Sequence, residues 1–228
     1  MTKGFHSFSF EHFGALAILV LLTFGAIYFG RRGGDITKGR IGFGIAMASF
    51  GVLWIDLIYR LISDTLRISD DLPLFLCDLV ACLLPFFIYK RNRTWMGVLY
   101  FWSIAGTAQA LLTPDLKEGF PSFEYLRYFI MHGCIVAAVI YYVVVWRLRM
   151  DWIDFLRAIV YVQVYLICIH LFNLVIGTNY SYTLAKPAGP TALDLMGEWP
   201  VYILTAELLM VVLFLLLMLP FLKSRARG

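Results

Sequence analysis

The chain has 228 residues, of which 61% are apolar and only 15% are charged, and its mean hydropathy is +0.79. A soluble domain of this size is roughly half apolar and about a quarter charged. A helical membrane span takes about 20 apolar residues, so several spans fit, but a soluble catalytic domain or a nucleic-acid-binding module does not. We therefore expect one transmembrane domain over residues 1–228, with no nucleic-acid partner.

Seven apolar runs are long enough to cross a bilayer as helices. They cover residues 13–29, 41–62, 72–89, 95–113, 123–146, 152–176 and 200–222. The sequence therefore predicts an all-α polytopic membrane protein built as a bundle of seven transmembrane helices. In the third run Pro73 is expected in the first helical turn, where proline is tolerated.

Basic residues cluster in alternate connections between these runs. The loops after the first, third and fifth runs and the C-terminal tail together hold most of the 19 Lys and Arg residues. Cytoplasmic loops of membrane proteins carry such an excess of positive charge. We therefore expect the N-terminus outside and the C-terminus in the cytoplasm.

Polar residues inside the apolar runs fall at similar depths. They are Asp56, Arg60, Cys77, Asp78, Gln109, His132, His170, Asn173 and Glu207. At 1.5 Å per residue from each outer end, most lie roughly 6 to 13 Å deep. Ionisable residues within spans are costly and usually face the bundle interior or a water-filled cavity. The sequence thus predicts a polar cavity in the outer half of the bundle.

Several of these residues also have a purely structural interpretation. Asp56 and Arg60 have the i,i+4 spacing of a helical ion pair. His170 and Asn173 share a helix face and are placed to bridge neighbouring helices by hydrogen bonds.

Cys77 lies near the start of a helix, where the dipole favours a thiolate, and a histidine is the usual activating base.

The cysteine pattern points away from metal binding. The chain has four cysteines, and they are Cys77, Cys82, Cys134 and Cys168. All lie in apolar runs and none forms a CxxC pair, so neither a metal site nor a disulfide framework is expected.

Short motifs follow one another in a fixed order between Leu72 and Pro200. They are LPLFLCD (72–78), GTAQALLTPDL (106–116), GFP (119–121), MHG (131–133), GTNYSY (177–182), KP (186–187) and LMGEWP (195–200). Together they resemble motifs of the YwaF family of bacterial integral membrane proteins. That family is distantly similar to eukaryotic proteins implicated in moving fatty acyl chains onto lyso-ether phospholipids through a cysteine and a histidine.

This resemblance implies a location in the bacterial cytoplasmic membrane and membrane lipids as partners. It implies an acyltransferase in which Cys77 and His132 carry the chemistry. One departure is that Phe75 stands where the family has a histidine, which removes one candidate base.

Two functions remain open at this point. The first is a lipid acyltransferase or transacylase, for which the candidate catalytic residues are Cys77, His132 and His170. In it Gln109 or Asn173 stabilises the oxyanion, and Asp56 and Asp78 orient their neighbours. The second is a non-enzymatic binding or transport protein for a small polar solute or a lipid head group, with Asp56, Arg60 and Glu207 as central groups.

Asn179 lies in the GTNYSY loop beside the predicted polar cavity. We expect it to contact the substrate of an acyltransferase or the ligand of a binding or transport protein. A weaker third interpretation is a haem protein with His132 and His170 as axial ligands. Otherwise no cofactor is expected, and the sequence does not indicate an oligomeric state.

Overall fold

The computed structural model describes residues 4–187 and 191–222, and its regular secondary structure in those ranges is helical. The helices are α1 (Phe10–Arg32), α2 (Asp35–Ile62), α3 (Leu76–Tyr89), α4 (Arg93–Trp102), α5 (Ala108–Leu112), α6 (Phe123–Val145), α7 (Trp152–Ile176) and α8 (Val201–Leu222). A π-helical turn, Ser103–Thr107, joins α4 to α5, and two short 3₁₀ turns, Tyr180–Tyr182 and Ala192–Met196, precede α8. The predicted all-helical fold is confirmed.

The helix lengths support a multi-pass membrane protein. Among residues 4–187 and 191–222, five helices are long and apolar enough to cross a membrane, namely α1, α2, α6, α7 and α8. The other two predicted spans differ, since α3 has only 14 residues and the fourth span is divided by the π-helical turn. Five of the seven predicted spans therefore coincide with helices that are long and apolar enough to cross a membrane.

Polar residues fix where several helices begin and end. The side chains of Ser9, Asn92 and Ser122 each accept a hydrogen bond from the backbone N–H three residues later, at the starts of α1, α4 and α6. Such caps satisfy N–H groups that have no partner within the helix. At the end of α7, Gly177 adopts a left-handed conformation with φ +76°, a common helix stop.

The start of α3 differs from the expectation that Pro73 lies in its first turn. The helix begins at Leu76, because the Asp78 carboxylate accepts a hydrogen bond from the Phe75 N–H at 3.2 Å and so caps the chain there. Pro73 lies in the connection before the helix. Cys77 is consequently the second residue of α3 and not a residue one turn further in.

Helix α6 lies at the centre of the bundle and packs against α1, α2 and α3. Its buried Tyr141 donates a hydrogen bond to the Lys38 carbonyl oxygen at 2.9 Å. Gly30 of α1 and Gly42 of α2 both face this ring, and a Cβ at Gly30 would lie 2.4 Å from the Tyr141 hydroxyl oxygen. Glycine at these positions lets α1 and α2 approach α6 closely.

We expect Gly30→Ala to lower the free energy of unfolding by about 1–3 kcal/mol, because the buried Tyr141 ring has no room to move away. The matched control is Gly44→Ala on α2, where a Cβ meets nothing within 4 Å. That change should be neutral or stabilise by up to about 1 kcal/mol through helix propensity. Chemical unfolding of the two purified variants measures both changes in the free energy of unfolding, and equal stabilities would contradict this packing.

Several connections meet at one end of the bundle. The N-terminal segment bonds to the connection between α5 and α6, with the Phe5 N–H 3.1 Å from the Lys117 carbonyl oxygen. The connection after α7 bonds to the connection before α3, with the Tyr180 hydroxyl 2.6 Å from the Ile68 carbonyl oxygen. We call this the loop-rich end, and it holds the candidate site.

Candidate functional site

A cavity of about 370 Å³ lies at the loop-rich end, and we call it the central cavity. Its walls come from α2, α3, α6 and the connections before α3 and before α6. The charged, reactive and phenolic residues that line it are Asp56, Arg60, Asp70, Asp71, Cys77, Asp78, Asp115, Glu124, Arg127, Tyr128, His132 and Tyr182. A thiol, an imidazole and several carboxylates and guanidinium groups therefore face one space.

Cys77 lies at the N-terminal end of α3, half-buried at the cavity wall. Its Sγ is 3.5 Å from the Oγ1 of Thr107, the last residue of the π-helical turn. The first N–H groups of a helix have no intrahelical acceptor, and their dipole favours negative charge on a nearby sulfur. The helix start and the Thr107 hydroxyl therefore both suit a cysteine that acts as a nucleophile.

His132 lies in the middle of α6 and is buried. Its Nδ1 is 2.9 Å from the carbonyl oxygen of Tyr128, and the Tyr128 ring lies 4.2 Å from the imidazole between centroids. A carbonyl oxygen only accepts hydrogen bonds, so in the neutral ring Nδ1 carries the proton and Nε2 carries the free lone pair. This is the tautomer that a general base needs.

Ion pairs join α2, α6 and the connection before α3 along one wall. The Asp56 carboxylate accepts from Arg60 Nε at 3.0 Å and lies 3.5 Å from Arg127 Nε. Arg60 also donates to Asp71 at 3.3 Å, and Asp71 pairs with Arg67. The predicted helical ion pair between Asp56 and Arg60 is thus present, as part of a larger network.

The connection after α7 supports the segment that leads into Cys77. The Tyr180 hydroxyl accepts from the Leu72 N–H at 3.0 Å, and its ring packs edge-on against Phe75. The hydroxyl of Tyr165 donates to the Leu74 carbonyl oxygen at 2.7 Å. These contacts fix the path of residues 68–75 and therefore the position of the α3 start.

Tyr182 has an unusual backbone and a phenol at the cavity wall. Its φ is +53°, and the preceding Ser181 has φ +54°, which is strained for residues with a side chain. Burial, and then the charges of Asp115 and Asp70, raise the pKa of Tyr182, so its phenol stays protonated at neutral pH. It therefore offers the cavity a hydrogen-bond donor.

Residues 7–218 match one protein family, described as the TMEM164 family. The chain belongs to the TMEM164 family. Neither the curated proteins nor the solved structures include a match to it. Membership, together with the apolar helices, identifies a multi-pass membrane protein.

This assignment corrects the resemblance to YwaF, which is a different family. The TMEM164 match covers α1 and α2 as well as the later motifs, whereas the resemblance began only at Leu72. Several of those motifs lie in connections, where Pro, Gly and Asn serve turns in unrelated proteins. The expected location in the bacterial cytoplasmic membrane depended on the resemblance to YwaF and falls with it. What remains is that the protein is a membrane protein.

In this TMEM164-family chain the predicted site residues separate into two groups. Cys77, His132, Asp56, Arg60 and Asp78 line the central cavity. The others lie elsewhere, and they are Gln109, His170, Asn173, Asn179 and Glu207. Gln109 donates to the Ala105 carbonyl oxygen at 2.7 Å and lines a different cavity. His170 on α7 and Glu207 on α8 are half-buried and do not line the central cavity.

Asn173 is buried at the end of α7, and all its hydrogen-bonding groups serve the following loop. Its Nδ2 donates to the Tyr180 carbonyl oxygen and to Thr183, and its Oδ1 accepts from Thr178 and from the Tyr180 N–H. Asn179 makes similar bonds within residues 179–185, with Leu184 and Ala185. Both asparagines thus shape the loop that supports the α3 start, and Asn173 has no side-chain N–H left for an oxyanion, because its Nδ2 already donates to Tyr180 and Thr183.

Asn173→Leu is expected to lower the free energy of unfolding by about 2–4 kcal/mol, because it leaves buried partners such as the Tyr180 N–H without hydrogen bonds. Asn179→Ala removes bonds that are nearer the surface and should lower it by no more than about 1.5 kcal/mol. Thermal unfolding of both variants measures the difference. Equal losses would mean that the Asn173 cluster is not the anchor of the loop.

Several cavity residues were not anticipated as site residues. Tyr128 stands four residues before His132 on the same helix face, a spacing that does point to contact. Asp71 and Asp115 lie in connections outside the apolar runs, so the rule that ionisable residues within spans face a cavity does not apply to them. Thr107 is not a lining residue, but it contacts the Cys77 sulfur, and nothing in the sequence predicts the π-helical turn in which it lies. Within the described ranges, no group of three or more His, Cys, Asp and Glu is placed to hold a metal ion.

Proposed function

We propose that the protein is a membrane-embedded lipid acyltransferase in which Cys77 carries the acyl group and His132 moves the proton. The observation that supports this most is that both residues line the central cavity, with Nε2 of His132 free to accept. A cysteine and a histidine facing one cavity are typical of acyl transfer through a thioester.

The reaction has two balanced halves. Nε2 of His132 takes the Cys77 thiol proton, the sulfur attacks the ester carbonyl carbon of a phospholipid, and a C–S bond forms. The ester C–O bond breaks, and the leaving lysophospholipid alkoxide takes the proton from His132. In the second half an acceptor hydroxyl gives its proton to His132 and attacks the thioester, and Cys77 leaves with that proton restored.

The negative charge that develops on the carbonyl oxygen needs hydrogen-bond donors. The first N–H groups of α3, at Leu76 and Cys77, have no acceptor within the helix and lie beside the sulfur. Donors fixed in this way stabilise an oxyanion. We assign them the role that the sequence had suggested for Gln109 or Asn173. Asp78, which caps α3, is a positioning residue for this arrangement.

The charged wall supports a phospholipid as the substrate. Nε of Arg127 is buried and makes no hydrogen bond to any part of the chain that the structure describes, although it lies 3.5 Å from Asp56 Oδ2. Arg127 and Arg60 both line the central cavity, and guanidinium groups bind phosphate oxygens through charge-assisted hydrogen bonds. Arg127 and Arg60 are therefore the groups that we expect to contact the phosphate.

We also propose that the chain crosses the membrane seven times, with its N-terminus outside. The helical segment from Arg93 to Leu112 rises about 30 Å at 1.5 Å per residue, which equals the thickness of the hydrocarbon core. The non-helical residues 72–75 add to the reach of the short α3. Basic residues such as Arg31, Arg91 and Arg147 lie at the end opposite the central cavity, so the positive-inside rule puts the cavity in the outer half.

Acyl exchange in liposomes tests the proposal. Purified protein is reconstituted with dioleoyl phosphatidylcholine and an isotope-labelled lysophospholipid, and the lipids are analysed by mass spectrometry over time. The proposal predicts that labelled lysophospholipid gains an oleoyl chain, and that protein-free liposomes show no gain. Unchanged labelled lysophospholipid across several head groups would contradict an acyltransferase.

The ion-pair network favours one second function, the binding or transport of a small polar solute or a lipid head group. Asp56 and Arg60 are central to that network, whereas Glu207 is not part of the cavity lining. This function predicts head-group or solute binding that depends on Asp56 and is unchanged in Cys77→Ala. Exchange that depends on Cys77 excludes it as the main activity.

A further inference from the structure

A second cavity, of about 350 Å³, lies beside the central cavity between α4, the π-helical turn, α7 and α8, and we call it the side cavity. Most of its lining is apolar, including Val162, Leu209, Leu213 and Phe214. From Ala206 to Phe214 the lining descends α8 by about 12 Å at 1.5 Å per residue. That depth is close to one leaflet of the hydrocarbon core, which is about 30 Å thick in total.

The two cavities share a wall. Tyr182 lines both of them, and Leu76 of the side cavity is the chain neighbour of Cys77 in the central cavity. Thr107, which contacts the Cys77 sulfur, follows Gly106, which lines the side cavity. The Cys77 sulfur thus lies where a charged cavity meets an apolar one.

We propose that the side cavity holds the fatty acyl chain while its carboxyl carbon is bound to Cys77. This inference rests on the proposed acyl transfer. A phospholipid has a charged head group and apolar chains. The charged central cavity and the mostly apolar side cavity lie on either side of Tyr182, so each part of the lipid has a cavity of matching chemistry. Gly106 and Leu209 are exposed, which leaves the side cavity open to chains that enter from the bilayer.

Filling the side cavity should discriminate between long and short chains. A Cβ at Gly106 meets nothing within 4 Å, so Gly106→Leu places its side chain in the side cavity without a backbone clash. We expect oleoyl transfer to fall about tenfold or more while octanoyl transfer stays within about twofold of wild type. The control is Gly44→Leu on α2, also exposed and open, which should change neither rate.

The outcomes separate the two proposals. A wild-type protein that transfers neither chain contradicts the acyltransferase and this inference with it. Wild-type transfer with equal oleoyl and octanoyl rates in Gly106→Leu overturns the side cavity alone. Leu213→Trp fills the same cavity from α8 and gives a second test if Gly106→Leu does not fold.

A photoreactive stearoyl phospholipid, with a diazirine near the chain end, gives a readout that does not need catalysis. Cross-links mapped by peptide mass spectrometry should fall on α7 and α8, around Val162 and Leu213. A second apolar groove, of about 290 Å³, lies between α1 and α6 and includes Leu16 and Val136. Cross-links confined to that groove would place the chain there and overturn the proposal.

Discussion

Cys77→Ala is expected to abolish acyl exchange, with a loss of at least about a thousandfold, because Cys77 is the only thiol among the described residues that line the central cavity. Cys77→Ser should be nearly as inactive. It retains a group that reaches Thr107, but a serine hydroxyl is a much weaker nucleophile than a cysteine at the same place. The measurement is the initial rate of labelled phospholipid formation in liposomes.

The matched control is Cys82→Ala. Cys82 is on the same helix as Cys77 and half-buried, but it packs against the apolar core and does not line the central cavity. We expect its rate to stay within about twofold of wild type, since removing a small apolar contact away from the site affects stability more than chemistry. Full exchange by Cys77→Ala would contradict a thioester on this residue.

His132→Gln is expected to lower the rate of exchange by about 10²–10⁴, the usual contribution of a general base. Glutamine can still donate to the Tyr128 carbonyl oxygen but cannot accept a proton, so the fold is retained while the base is lost. The remaining rate should increase with pH, because a higher hydroxide concentration forms the thiolate without the imidazole.

His170→Gln is the control for this variant. The sequence offers His170 as a second candidate for the base beside His132, but His170 lies on α7 and does not line the central cavity. Its exchange rate should remain within about twofold of wild type. If His170→Gln were the inactive variant and His132→Gln the active one, the proposed assignment of the base would be wrong.

Hydropathy predicted the positions of the helices well because each long helix carries one continuous apolar run. The fifth predicted span, 123–146, and the sixth, 152–176, agree with α6 and α7 within one residue. The exceptions have physical reasons. Helix α3 begins later than the position of Pro73 suggested, because Asp78 caps the chain at Phe75. A π-helical turn divides the fourth span, and no proline in the sequence indicates it.

The sequence places the polar residues of the candidate site along their helices, but it does not predict which way their side chains point. Counting residues gives the position of a side chain along its helix, so both His132 and His170 were candidates for the base. Which way each one points depends on how the helices pack, and only His132 faces the central cavity. The acidic residues Asp71 and Asp115 were missed for a different reason, since they come from connections that fold over the cavity.

The proposed acyl-enzyme on Cys77 is tested most directly by the intact mass of the purified protein after incubation with dioleoyl phosphatidylcholine. We predict an added oleoyl group, located by peptide mapping on Cys77 and removed by neutral hydroxylamine, which cleaves thioesters. The same adduct should be absent from Cys77→Ala and present in Cys82→Ala. An unmodified mass in a preparation that exchanges acyl chains, or an adduct on another residue, would contradict it.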